Sequence, residues 1–412
     1  MPILVVAAPW VLLGTPPEGA GGAPSPGEGQ AVRDGAVALE GGRVLAVGRR
    51  AEVEARHGPA ERRDAVLLPA LVNAHLHLEL SHLAGRVPGG DGLAPWILRL
   101  VAERARAPEG AADAAMARGV EALEGAGVAA VGEVSNTLAS LAPLGWAGLA
   151  GTVFHEVFGF SGERAEAALR AAGEARASAT TGPTSLGVAL SPHSLYSTNP
   201  RILQRLLREG PASIHLAEDP AERLFAARGE GPLASIARQL GALDADLVPR
   251  GRSAVAAVAP FLGPRSLVVH GVDLDEQDLA DLRRSGATVA LCPRSNLHVG
   301  GRLPDLPRLL AAGVPLAVGS DSLASSPSFS PLEELAALRR AFPEVPAARL
   351  VPLAWNGAAV GAPGLGRLAE GAAPGLLAAP LDGDRPEDPF EWLLRAPRRL
   401  SWIARQRPEV RA

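Results

Sequence analysis

His75 and His77 stand two residues apart at the end of an apolar run. In an extended strand such residues point to the same side, so both imidazoles can share one cation. Alone, the pair is also what an ordinary polar strand end looks like. Other apolar runs close in the same unusual way: His193 follows one, His215 and Glu218 close the next, and His270 and Asp321 close two more. His75, His77, His215 and Asp321 together offer three imidazoles and one carboxylate. That is a borderline-soft donor set suited to Zn2+, with Fe2+ and Mn2+ as the other candidates. A cation held there lowers the pKa of a water it binds towards ~7, so hydroxide becomes available at neutral pH.

These groups lie far apart in the chain, so a scaffold must bring the ends of separate runs together. From Ala65 onward, apolar runs alternate with Ala/Leu/Arg stretches of helical period. The runs are Val66 to Ala74, Val128 to Val134, Gly151 to Val157, Ser185 to Leu190, Ala212 to Leu216, Ser266 to Val269, Ala287 to Leu291 and Val314 to Val318. Helical stretches such as Ala111 to Gly125, Pro200 to Arg208 and Glu276 to Arg284 separate them. Eight such units predict an α/β protein of the closed (β/α)8 TIM-barrel type, in which chemistry sits at the C-terminal strand ends. The first 65 residues read instead as short strands, Ile3 to Leu13, Gly35 to Leu39 and Arg43 to Val47, with a Gly/Pro/Ser-rich loop from Gly14 to Gln30. Further apolar runs, Gly375 to Ala379 and Leu400 to Ala404, lie in the tail. The expected organisation is a barrel over residues 66–363 and a discontinuous small β domain, a sandwich built from residues 1–65 and 364–412.

Composition narrows the function. The chain has 412 residues, 47% of them hydrophobic, and a formal charge of −4 with no basic run, so nothing marks it for nucleic acid or an anionic membrane surface. Small-molecule chemistry is expected, with a homo-oligomer open. All 40 Lys+Arg residues are arginine. The lack of lysine excludes a Walker lysine, a Schiff-base lysine and a lysine carbamate bridging two metals. The single cysteine, Cys292, excludes an intrachain disulfide framework and fits a reducing, cytoplasmic setting. No GxSxG elbow is present for a serine hydrolase.

The strings LLPALVNAHLHLELSHL, SPHSLYS, SIHLAED, LVVHGV, LCPRSN and VGSDSLAS resemble the amidohydrolase superfamily, in its cytosine/adenosine/guanine deaminase and chlorohydrolase branch. The resemblance covers nearly the whole chain. It implies that His75, His77, His215 and Asp321 hold one divalent metal, that Glu218 shuttles protons, and that His270 hydrogen-bonds the attacking water or the group attacked. It also implies that His193 contacts substrate. The chemistry agrees: Glu218, three residues past His215, can protonate a ring nitrogen as hydroxide attacks the adjacent carbon, Asp321 can take a proton, and His270 can stabilise the developing tetrahedral centre. Each residue also has a plainer reading: Glu218 as a helix N-terminal acid, His270 as a buried core histidine, His193 as a loop cap. His82, His155 and His298 are assigned loop or supporting roles and His57 the surface.

NAHLHLELSHL and GSDSLASSPSFSPLEEL look closest to deaminases of 6-aminopurine nucleosides, including the aminodeoxyfutalosine deaminases. Where related S-adenosylhomocysteine and methylthioadenosine deaminases carry a ribose-gripping Glu before a Trp, Pro95 precedes Trp96 here. Glu79, His193, Asn136 and Arg294 are the expected polar substrate contacts, with Trp96 and Tyr196 as stacking surfaces; packing in the core is the alternative for Trp96. Within the same branch the rival activities are a guanine deaminase and a triazine-type chlorohydrolase. A non-catalytic scaffold of this fold is the alternative outside enzymes.

Overall fold

The computed structural model describes residues 2–15, 29–159, 162–179, 186–239 and 251–405. Five strands come first: β1 (Ile3–Leu12), β2 (Ala31–Glu40), β3 (Arg43–Arg49), β4 (Glu61–Arg62) and β5 (Ala65–Pro69). Eight strands follow: β6 (Leu71–Leu76), β7 (Val128–Ser135), β8 (Ala150–Val157), β9 (Leu186–Pro192), β10 (Ala212–Leu216), β11 (Ser266–His270), β12 (Thr288–Leu291) and β13 (Leu316–Val318). The last two are β14 (Leu376–Pro380) and β15 (Ser401–Ala404). The Gly14 to Gln30 loop and the end of the tail lie mostly outside the described residues.

Strands β6 to β9 form one four-stranded parallel sheet and β10 to β13 another, each in sequence order. Their residues are nearly all buried, which is why they read as continuous apolar runs without alternation. The two sheets meet at both edges. On one side His215 N–H donates to His193 O at 3.0 Å, and on the other Ser320 and Asp321 N–H donate to His75 O at 2.9 and 3.0 Å. The chain is therefore an α/β protein with parallel sheets, with helices such as Ala111–Gly125, Pro200–Glu209 and Glu276–Ser285 between strands.

Strands from both ends of the chain share a single seven-stranded sheet, in the order β15-β14-β5-β1-β2-β3 with β4 beside β1. The terminal strands form no second sheet among the described residues. Instead, the short helix Arg50–His57 places Val53 with Val5, Ala7, Ala36 and Ala38 on one face. Val6, Val37, Leu39, Leu67 and Leu376 form the apolar cluster of the other.

The run expected as one strand, Val66 to Ala74, is two. β5 pairs with β1 and β14 in the terminal sheet, whereas β6 pairs with β7 in the parallel one. Pro69 has no N–H to continue a ladder, and at Ala70 the chain changes partners: Ala70 N–H goes to Gly375 O and Leu71 N–H to Gly127 O. Apolar content alone could not show this break, because both halves are buried.

Candidate active site

The histidines and carboxylates at the strand ends converge. His75 is the penultimate residue of β6, and its ring centroid lies 4.8 Å from that of His77 and 5.0 Å from that of His215. His77 Nε2 faces His215 Nε2 at 3.2 Å. Asp321 Oδ1 lies 3.6 Å from His77 Nε2 and 3.9 Å from His75 Nε2. The bond from Asp321 N–H to His75 O brings this carboxylate to β6. Gly319 permits the approach, since a Cβ there would stand 2.7 Å from His75 Cβ.

The local backbone is strained where the chemistry sits. Ala217, His270 and Asp321 have φ of 55°, 81° and 60°, a region that L-residues other than Gly avoid at about 1–3 kcal/mol each. All three follow or end strands β10, β11 and β13. Hydrogen bonds hold them there. Glu222 accepts from Ala217 N and Glu218 N at 3.0 and 2.7 Å, and Ala217 O accepts from Val272 N and Asp273 N. Asp321 accepts from Ser295 Oγ and Ser322 N at 2.6 Å each. Glu133 of β7 accepts the Leu78 N–H, fixing the turn just past His77.

Electrostatics follow from burial. Desolvation holds His75 and His215 well below the ordinary imidazole range and lowers His77, with neighbouring histidines adding to the effect at His75 and His215. Burial also brings His193 down to about 3 and His270 to about 4. Asp321 is pushed up by burial but pulled further down, to about 2, by His77, His75 and His270. The opposite holds for Glu218, whose carboxyl burial and the nearby Asp321 push well above the usual range. Burial thus disfavours charge on the imidazoles and on Glu218, while the surrounding histidines favour it on Asp321.

That set fits a metal. The ligand atoms of His75, His77 and His215 lie within 4.8 Å of one another, as do those of His75, His270 and Asp321. Both ring nitrogens of His75 are buried with no hydrogen-bond partner among the described residues, an arrangement that lacks compensation unless a cation accepts a lone pair. His215 Nδ1 donates to His193 O at 3.1 Å, which leaves the Nε2 lone pair free on the side of His77. A third group, Glu156, His193 and His215, shares His215 with the first.

His270 faces Glu218, Nε2 to Oε2, at 3.5 Å. Asn296 Nδ2 donates to His270 Nδ1 at 3.0 Å, placing the ring proton on Nε2. Glu218 and His270 line a pocket of about 460 Å³ together with His77, His215, His193 and Asp321. Trp96, Asn136 and Tyr196 also line it. Pro95 sits in the first turn of the helix Leu93–Arg106, where a missing N–H is harmless, and that helix carries Trp96 to the pocket.

Two expected substrate contacts lie elsewhere. Glu79 is turned to the loop after β7, where it accepts from Ser135 Oγ, Asn136 N, Thr137 N and Thr137 Oγ1. Arg294 is consumed by Glu333, Glu334 and Ser328. Neither lines the pocket. His82, His155 and His298 bond to the carbonyls of Glu79, Ser135 and Val87 in supporting roles, while His57 is half-buried. Conversely, sequence reasoning passed over Glu156, a pocket-lining carboxylate that accepts from Asn136 Nδ2 at 2.7 Å and that burial raises to about 8. Its signal was a charged residue near the end of an apolar run.

Residues 66–390 match the model of the Amidohydrolase family. The chain belongs to that family. Among its amidohydrolase relatives, the 5-methylthioadenosine/S-adenosylhomocysteine deaminase of Nitratidesulfovibrio vulgaris strain Miyazaki F is 31% identical over 365 residues, covering 82% of this chain and 78% of that protein. The aminodeoxyfutalosine deaminase of Deinococcus radiodurans is 31% identical over 360 residues, covering 82% of each. This amidohydrolase also shares its fold with the Helicobacter pylori aminofutalosine deaminase solved with methylthio-coformycin, at a TM-score of 0.80 and 22% identity over 96% of this chain and 97% of that one. A Xanthomonas campestris adenosine deaminase with bound zinc gives a TM-score of 0.76 at 21% identity, over 99% and 94%.

Proposed function

We propose that this amidohydrolase deaminates a heterocyclic base or nucleoside, with a 6-aminopurine nucleoside such as aminodeoxyfutalosine as the best substrate. The observation that carries the reading is the placement of the Glu218–His270 pair at the pocket lined by His77, His215 and Asp321, with His75 buried against them. Relatives named for deamination of methylthioadenosine, S-adenosylhomocysteine and aminodeoxyfutalosine support the substrate class.

The same reading has the two parallel sheets closing into one (β/α)8 barrel over residues 66–363, with the terminal segments 1–65 and 364–412 as its small β domain. β5 then belongs with the terminal segments. His75, His77, His215 and Asp321 would hold one divalent ion, best Zn2+, which when bound supplies Lewis acidity and a hydroxide nucleophile at neutral pH. A single ion is favoured because no lysine is present to bridge a second. A cytoplasmic setting fits the lone, buried thiol of Cys292.

The chain's own residues then divide the work. Glu218, whose protonated form burial favours, donates to a ring nitrogen of the substrate, which makes the neighbouring carbon electrophilic, and recovers a proton from the new hydroxyl as the amine departs. His270 directs its Nε2 proton to the oxygen that develops on that carbon. Asp321, ionised and held by Ser295 and Ser322, is the group able to accept a proton from water and pass it on to the departing amine. His193 presents its ring to the pocket, its Nδ1 against Ser197 Oγ at 2.6 Å, and contacts the base. The deciding experiment measures ammonia release by metal-loaded protein from adenine nucleosides, aminodeoxyfutalosine, guanine and cytosine. Release from the 6-aminopurine nucleosides is expected; release from none of the four classes would overturn the reading.

A further inference from the structure

The last rung between strands β10 and β11 pairs Leu216 with His270. Beyond it both chains leave the ladder through left-handed backbone, one at Ala217 and the other at His270 itself. Glu218 stands two residues past that rung on one chain and faces His270 on the other, so strand pairing does not set their spacing. Hydrogen bonds outside the sheet must do so.

Those bonds form a ring. Ala217 O accepts the N–H groups of Val272 and Asp273 at 2.7 and 2.8 Å, which ties the stretch just after His270 to the residue just before Glu218. Glu222, in the helix Pro220–Arg228, holds the N–H groups of Ala217 and Glu218. Arg223 follows Glu222 in that helix and reaches the other chain: its Nε donates to Asp273 Oδ2 at 2.7 Å and its Nη2 to Asp273 O at 3.1 Å. The circuit runs from Ala217 to Asp273, Arg223, Glu222 and back to Ala217, with Glu218 and His270 attached on opposite sides.

Arg223 is itself fixed in direction. Its Nη1 and Nη2 donate to Asp275 and Asp278, the two acids of the capping box that opens the helix Glu276–Ser285. Asp278 is fully buried and also accepts from Arg252 and Ser253. A planar guanidinium bound at Nε and at both Nη groups has one orientation, which a flexible ammonium would lack. Arg252 provides the contrast, since it bonds Asp275, Asp278 and Asp281 and so anchors the same helix from outside the ring.

We propose that Arg223, acting through Asp273, is a positioning residue that fixes Glu218 against His270 for proton transfer. The proton-transfer role rests on the deaminase reading, whereas the ring does not. Glu218 Oε2 and His270 Nε2 face each other at 3.5 Å, and both must meet one substrate at once. A misplacement of about 1 Å between such groups costs up to about 100-fold in rate.

The test compares Asp273→Ala, Arg223→Gln, Arg223→Lys and Arg252→Gln by ammonia release, metal content, Tm and hydrogen exchange followed by mass spectrometry. Asp273→Ala is the gentler break, because Arg223 keeps Asp275 and Asp278. It should lower kcat by about 10- to 100-fold with KM and metal content nearly unchanged. Arg223→Gln should do the same, the double variant should be no worse than the poorer single one, and Arg223→Lys should recover part of the loss. Arg252→Gln should lower Tm and leave kcat within about twofold. In a Glu218→Gln background, adding Asp273→Ala should change the remaining rate by less than about twofold, since no proton transfer by that residue is left to misalign. Exchange reads the ring without turnover: the amides of 217–218 and 272–273 should lose protection together in Asp273→Ala and keep it in Arg252→Gln. Unchanged exchange, an equal kcat loss in Arg252→Gln, or an undiminished effect of Asp273→Ala beside Glu218→Gln overturns the proposal and leaves deamination standing. Coupled exchange in a parent that releases no ammonia supports the ring and overturns the deaminase reading.

Discussion

The Glu222 carboxylate holds the backbone N–H of Glu218 at 2.7 Å, and its other oxygen holds the N–H of Ala217. The acid proposed to move protons is thus oriented by a second acid four residues on, across a residue in left-handed conformation.

Removing that clamp should release both the strain and the alignment. Glu222→Ala is expected to lower kcat by about tenfold or more and stability by roughly 1–3 kcal/mol, the penalty for leaving buried donors unpaired. Glu222→Gln retains one acceptor and should fall between. Burial raises the Glu222 carboxyl from 4.5 to about 8. The folded state therefore binds more protons than the unfolded one between those values, so parent stability from this group falls as pH rises through the window. Gln does not titrate. The stability gap between parent and Glu222→Gln should narrow from pH 5 to pH 8 in denaturant titrations; a gap that widens would contradict the shift.

Glu218→Gln separates proton transfer from metal binding. Gln keeps the shape of Glu but carries no proton, so kcat should drop by ~10² to 10⁴ while metal content and substrate affinity remain. His215→Ala opens the ligand set and should lose the metal. Elemental analysis of both variants, beside steady-state rates, checks this; metal loss in Glu218→Gln would sink the assignment.

Arg294→Ala should injure the fold before it injures substrate binding. Its guanidinium bonds Glu334, which is fully buried, as well as Glu333 and Ser328. Removing one partner of such a pair leaves a buried charge, at about 3–5 kcal/mol. A large fall in Tm with unchanged KM in the folded fraction is expected. A raised KM at unchanged Tm would return Arg294 to the substrate side.

Cys292 is fully buried, and burial pushes its thiol well above the usual range, so it is no nucleophile. Cys292→Ala should retain activity to within a few-fold. Iodoacetamide at pH 8 should leave the native protein unlabelled, as mass spectrometry would show.

The strand ends were legible because His75, His77, His215, His270 and Asp321 interrupt runs that are otherwise apolar. Neighbouring parallel strands bring such ends together at one edge. Glu79 and Arg294 were misplaced because exposure to substrate depends on which distant groups claim them, and Ser135 to Thr137 and Glu333 to Glu334 are invisible as partners at that stage. The helix Leu93–Arg106 escaped notice because Gly92 provides no side-chain cap and Pro95 looks like a breaker, although proline is tolerated in a first turn. Glu133 and Glu156 sit inside runs scored for their apolar content, so their buried carboxyls were read past.

The change of partners at Ala70 bears on synthesis. The strand that leads into His75 is preceded by β5, whose neighbour β14 runs from Leu376 to Pro380, paired Leu376 to Pro69. A ribosome delivers residues 65–69 about three hundred residues before it delivers that neighbour. Until then the approach to the first two histidines has an open strand edge, a surface prone to pairing with other chains. The site therefore cannot be finished on a nascent chain that still hides its last strands, and premature termination anywhere before Pro380 should yield an aggregating product in place of a weakened enzyme.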